Sequence, residues 1–369
     1  MAAKIDSRNN QFDFMAAVGI VFVVFGHLYQ PPYLFYPAFA FHMALFFFIS
    51  GYFSKTASNF KTKFKYILRK TKTQAIPYFA LNAFFGCITM LMGQKGIILG
   101  GEFTWWNMFI SPFGRGDQFH LYLAAWFLLT LYAVNVTAIV LFSDKKWFDI
   151  LISSISVLLL YYFTEHFTPP GGDSSLIFIN FGIRVSIGFF FFSIGRMFRT
   201  FESVLQKYLL NPSTIVILFL IIDLLTVNFG NLTYNILFND LGQSNGMLFV
   251  HIITTFCIIL IIYLVGHIMS AFLTDNSLIY KIGRNTFSIM VWHLTMFLLV
   301  NIILYKLNLI QFSSLSNVYF KYKPEKTWTI YAAAGIFGPL AITKAYRYVC
   351  VSVLQLARAG CAGRKVTGN

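Results

Sequence analysis

The stretch FDFMAAVGIVFVVFGHLYQPPYLFYPAFAFHMALFFFISGYF, residues 12–53, decides the fold. Two apolar runs flank an uncharged turn, Gln30-Pro31-Pro32, and each run carries one histidine, His27 and His42. Apolar runs of this length read as membrane-spanning helices. A histidine in hydrocarbon is costly, so it requires a partner, a water-filled cavity or a chemical role. Two of them, on helices that a short turn makes neighbours, point to a reaction centre.

The rest of the chain agrees with a membrane setting. Of its 369 residues 57% are hydrophobic, 19% aromatic and only 11% charged, where a soluble domain holds about 25% charged residues. Mean hydropathy is +0.68. A net charge of +15 would suggest a nucleic-acid partner in a soluble protein. Here the charge lies in loops, so topology accounts for it, membrane lipid is the expected surrounding and no nucleic acid is expected. The four cysteines, Cys87, Cys257, Cys350 and Cys361, have no spacing that suggests a metal site or a disulfide framework. Lys4 and Arg8 precede the first run without a convincing cleavage site, which reads as a retained first span.

Ten stretches qualify as spans: 12–30, 36–54, 75–94, 119–142, 148–164, 177–196, 213–230, 246–272, 285–305 and 328–350. The expected fold is an all-α, polytopic bundle of about ten transmembrane helices. With the N-terminus in the cytoplasm, 21 of the 28 Lys and Arg fall on the inner side. This bias places both termini in the cytoplasm. One loop dissents: 306–326 is outside in this scheme yet carries Lys306, Lys321, Lys323 and Lys326. Residues 1–353 are read as the membrane domain and 354–369 as a short, frayed cytoplasmic tail.

Helix rise sets depth. His27 lies roughly 22 Å from the inner edge, and His42 and Arg184 enter roughly 9–10 Å from the outer edge. Trp126 falls at a similar depth, so these side chains share a layer in the outer half. His293 is placed roughly 12 Å above the inner edge, well below His27. Each residue also has a structural reading. A lone histidine is satisfied by one neighbouring carbonyl, and Arg184 by Asp223 or by capped carbonyls. The basic run Lys61, Lys63, Lys65, Arg69, Lys70, Lys72 before Ile76-Pro77-Tyr78 is either an inner-face anchor or a phosphate site.

Taken in order, SRNNQFDF with VVFGH, FHMALFFFISGYF, a basic loop ending in IPYF, AWFLLTLY, FGIRVSIGFFFFSIG and IGRNTFSIMVWH resemble the acyltransferase 3 family of membrane acyltransferases. The likeness leans towards its fucose-4-O-acetylase-like branch and covers about residues 8–300. It implies a multi-pass protein of the bacterial inner membrane. The implied reaction moves an acetyl group from cytoplasmic acetyl-CoA to a sugar hydroxyl of a surface polysaccharide (O-antigen, capsule or exopolysaccharide) or its lipid-linked precursor, with no metal. By resemblance His27 is the catalytic histidine, Asp13 the acidic residue fourteen positions before it, and His42 the second-span histidine. Trp126 and Phe127 match the WFL motif, and His293 closes the late GxN motif. Ala16 stands where the family commonly has Arg or Lys.

The chemistry is coherent with that resemblance. A thioester is already activated, and a sugar hydroxyl needs a base; a neutral His27 would serve. Arg184 or His42 would supply a donor to the oxyanion. Arg69, Lys70 and Lys72 would hold the donor's phosphates, the pantetheine arm would pass His293, and the sugar would stack on Trp126. The alternative class is a transporter or flippase for a lipid-linked glycan, since intramembrane ionisable residues also serve substrate pathways. No internal repeat of the kind many transporters show is visible.

Overall fold

A computed structural model describes residues 9–28, 37–114, 116–143, 145–166, 177–230 and 247–366. Among them run thirteen α-helices: α1 Asn10–Gly26, α2 His42–Tyr52, α3 Phe60–Lys70, α4 Ile76–Gly93, α5 Trp105–Phe109, α6 Trp126–Leu141, α7 Lys146–His166, α8 Ile177–Leu209, α9 Pro212–Phe229, α10 Met247–Phe272, α11 Leu278–Gly283, α12 Thr286–Lys306 and α13 Pro324–Val366. No strand occurs among the described residues, only an isolated bridge between Gly100 and Phe119. Among the described residues five stretches are long and apolar enough to cross a bilayer: Phe60–Gly93, His120–Leu141, Ile177–Leu209, Leu248–Phe272 and Thr286–Lys306. α1, the stretch containing α2, and α9 are shorter apolar helices. The protein is a polytopic helical membrane protein, with a helix on each of the ten candidate stretches. The Gln30-Pro31-Pro32 turn and Lys4 and Arg8 lie outside the described residues.

Local chemistry explains several boundaries. The Asn9 side chain accepts from Gln11 N, and Asn59 from Thr62 N, each capping a helix start. Asn211 caps α9, whose first residue is Pro212, where the missing N–H is no loss. Other boundaries differ from the sequence expectation. The basic run is itself helical: α3 joins α4 through a π-helical turn, Thr71–Ala75, so one rod begins at Phe60. Phe60, Phe64 and Leu68 are exposed on α3 while its lysines fill other faces. That amphipathic pattern suits a helix at the membrane surface. α8 runs to Leu209 and carries Arg196 and Arg199 beyond the apolar core. α13 continues as helix to Val366, through most of the stretch read as a frayed tail.

Close crossings hold the bundle. A Cβ on Gly51 would fall 1.9 Å from the Phe192 carbonyl oxygen, and one on Gly195 2.0 Å from that of Phe48. α2 and α8 therefore meet backbone to backbone, with a glycine from each side. Small residues at helix interfaces are what drive such packing in lipid, where burial of apolar surface contributes little. Around this crossing Phe47, Phe48, Phe192, Met15 and Tyr263 are wholly buried. Gly283 does the same for α1 and α11: a Cβ there would meet the Asp13 carbonyl oxygen at 1.9 Å. This contact fixes Asp13 and Gly283 at one level of the bundle.

Candidate active site

Both histidines of the opening stretch sit at helix ends. α1 stops at Gly26, and His27 caps it with φ −94° and ψ 1°. α2 begins at His42, after a 3-10 turn over Ala38–Ala40. The two imidazoles flank Phe39, whose ring centre lies 6.4 Å from His27 and 5.5 Å from His42. His27, His42 and Trp126 line one cavity of about 600 Å³. From His42 to Ser50, both on its wall, α2 advances about 12 Å. Val23, Phe127, Leu131 and Met290 line it between, and Thr286 and Phe287 line it from the start of α12. The result is a mainly apolar passage along the helices, with the histidines at one end.

His293 differs most from its expected place. Its ring centre is 5.1 Å from that of His27, with the planes 35° apart. Depth counted from a predicted boundary put the two on different levels. α12 starts at Thr286, within one residue of the expected boundary, so a count along isolated straight helices does not give the level at which side chains from two helices meet. His293 Nδ1–H donates within its own helix, to Ile289 O at 2.9 Å and Met290 O at 3.0 Å. Its Nε2 and the Nδ1 of His27 are both buried, with no hydrogen-bond partner.

Other expected residues do different work. Asp13 forms an ion pair with Arg284 at 2.7 Å, and Arg284 also donates to Asn10 Oδ1. Along α1, Asp13 is about 21 Å from His27, so it clamps the opposite end. Arg184 donates to the carbonyls of Phe113 (3.0 Å) and Gly114, and stacks 5.6 Å over both Trp126 and Phe181. Of its two structural readings, the capping of carbonyls is the one seen. It shapes the wall behind Trp126 and does not itself line the cavity. His42 Nδ1–H donates to Ala38 O. A neutral His42 therefore has no N–H left for an oxyanion.

Arg69 and Lys70 lie over the Tyr66 ring at 5.2 and 5.5 Å, and Lys72 is exposed in the π-helical turn. Tyr66 donates to Asn135 Oδ1, one turn along α6 from Leu131 of the cavity wall. The basic cluster thus lies beyond the far end of the passage from the histidines.

Two residues of the site went unread. Tyr319 lines the cavity, with its ring 6.2 Å from that of His27. Lys321 is 7% exposed, donates to Val318 O at 2.8 Å and lies 4.7 Å over Phe297. Burial pushes its ammonium down to about 7. The signal was the surplus of lysines in 306–326: at least one of them is a buried residue of the site and not a loop charge.

The structure is a helical membrane bundle with buried histidines at one end of an apolar passage. The acyltransferase 3 family model, an acyltransferase domain, matches residues 9–344, and the chain belongs to that family. No curated protein and no solved structure matches.

Proposed function

We propose that the protein is an O-acetyltransferase that moves an acetyl group from acetyl-CoA to a sugar hydroxyl of a bacterial surface glycan. The observation that carries this reading is His27, on the wall of the passage with Nδ1 turned into the protein. Its cavity edge then carries Nε2. In the neutral tautomer protonated at Nδ1, Nε2 has the lone pair a general base requires. The hydroxyl oxygen bonds to the acetyl carbonyl carbon as its proton passes to His27 Nε2. The carbon–sulfur bond then breaks, and the CoA thiolate leaves with the proton returned by His27.

The passage suits a donor whose two ends differ. The nucleotide of CoA is too highly charged to enter hydrocarbon. Arg69, Lys70 and Lys72 would hold its phosphates at the end bearing Asp13, which the positive-inside bias makes cytoplasmic. The thin pantetheine arm would extend between α1, α2, α6 and α12 to His27. The sugar would enter at the opposite, periplasmic end of an inner-membrane protein. There Trp126 offers an aromatic face, and His42 keeps Nε2 as an acceptor for a second hydroxyl.

The test is acetyl transfer by purified His27→Ala and His27→Gln proteins, scored by NMR of the glycan. Both variants should insert normally and lose about 10²–10⁴ in rate, because neither side chain accepts the proton. Acetylation at the wild-type rate by either variant would sink the assignment.

A further inference from the structure

The geometry points to His293 as the positioning residue of His27: the two imidazoles form a neutral pair in which His293 selects the base-competent tautomer. This rests on the reading of His27 as the base.

A neutral imidazole has one donor and one acceptor. The donor of His293 is fixed, because Nδ1 faces two carbonyl oxygens of its own helix and a carbonyl can only accept. Nε2 is therefore a lone pair, wholly buried, on a ring 5.1 Å from His27. The Nδ1 of His27 is also buried and bare. Buried polar atoms are paired in native proteins. One arrangement satisfies both: His27 Nδ1–H donates to His293 Nε2, directly after a small ring rotation or through one water. The opposite tautomer would set two lone pairs against each other. It would also present an N–H to the cavity, which cannot take a proton.

A carboxylate commonly orients a catalytic histidine. Here the acidic residue of the same helix, Asp13, is about 21 Å away and bound to Arg284. A neutral histidine does the same orienting without a buried anion, whose desolvation would be costly in a low-dielectric site. The other titratable groups that bear on His27 are His42 from α2 and Lys321 from the segment before α13. Both are potential cations, so neither can replace the acceptor that His293 offers.

The experiment uses the purified full chain with ¹⁵N-histidine in detergent, with His27 assigned by its loss in His27→Gln. Neutral His27 should be protonated at Nδ1 in the wild type and should redistribute between tautomers in His293→Leu. His293→Gln, whose Oε1 falls near the place of Nε2, should restore the Nδ1-protonated form. In turnover, His293→Leu should lower kcat about 10–100-fold with donor KM within about twofold, and His293→Gln should recover most of the loss. Wild-type His27 protonated at Nε2, or a tautomer indifferent to His293→Leu, overturns the pair. A raised donor KM with unchanged kcat also overturns it, and makes His293 a contact of the pantetheine arm. The tautomer measurement needs no turnover, so it stands apart from the His27→Ala assay that decides whether His27 is the base.

Discussion

The two ends of the bundle are built on opposite principles. At the Asp13 end, charged groups are partnered: Asp13 pairs with Arg284, Arg196 with Asp149 at 2.6 Å, and Glu202 accepts from both Tyr52 and Tyr263. At the His27 end, among the described residues, two facing imidazoles each keep a buried ring nitrogen without a hydrogen-bond partner. One helix, α1, carries a residue of each kind. The difference separates holding from acting. Paired charge fixes helices in register, while the facing nitrogens of two neutral imidazoles set which edge of His27 is left to accept a proton. Unpaired polar atoms in a low-dielectric interior are high-stakes, so their retention marks a role.

Cutting each end in turn separates the two roles. Asp13→Asn should lower stability by about 1–3 kcal/mol, the range for a lost hydrogen bond to a charged group. It should leave kcat per folded molecule within about twofold. His27→Gln should do the reverse. Thermal unfolding in detergent, read beside turnover, checks both. A loss of kcat near 10²-fold in Asp13→Asn, at an unchanged midpoint, would mean that the clamp also governs the chemistry.

A smaller effect is expected from the basic cluster. Neutralising Arg69, Lys70 and Lys72 together should raise the donor KM by roughly tenfold with little change in kcat, because phosphate contacts are alike in ground and transition states. The assay is donor titration on solubilised protein. An unchanged KM would leave the cluster as a topology signal only.

These contrasts also show what could be read in advance. Helix positions were legible, because twenty apolar residues in a row have few alternatives in lipid. The pairing of His27 with His42 was legible too, since one short connection joins their helices. The approach of His293 was not. It depends on how α12 and α1 lie against each other, which is decided by contacts between residues far apart in sequence, such as Gly283 against Asp13. Arg184 was read by cost alone, which says that a buried guanidinium needs partners but not that they are the Phe113 and Gly114 carbonyls. Asp13 was read through its fixed spacing to His27, and along a helix that spacing is itself a statement of distance.

The smallest effect concerns Lys321, and its sign follows from burial. Burial pushes the ammonium down to about 7, from the ordinary lysine value of 10.5. Between those values the unfolded chain binds more protons than the folded one, so stability rises with pH through that window. Below about pH 7 the destabilisation is fully present; above about 10.5 it has vanished. Lys321→Met keeps the apolar stem and removes the charge. The variant should therefore melt higher than wild type near pH 6–7, by roughly 2–5 °C, with the gap closing as pH approaches 10. Melting curves of both proteins across that range check it. A gap independent of pH would show that the lysine titrates alike in the folded and unfolded chain, so that burial does not shift it. A gap of opposite sign would show that an anion holds it charged, and would turn Lys321 from a tolerated burden beside the histidines into half of an ion pair.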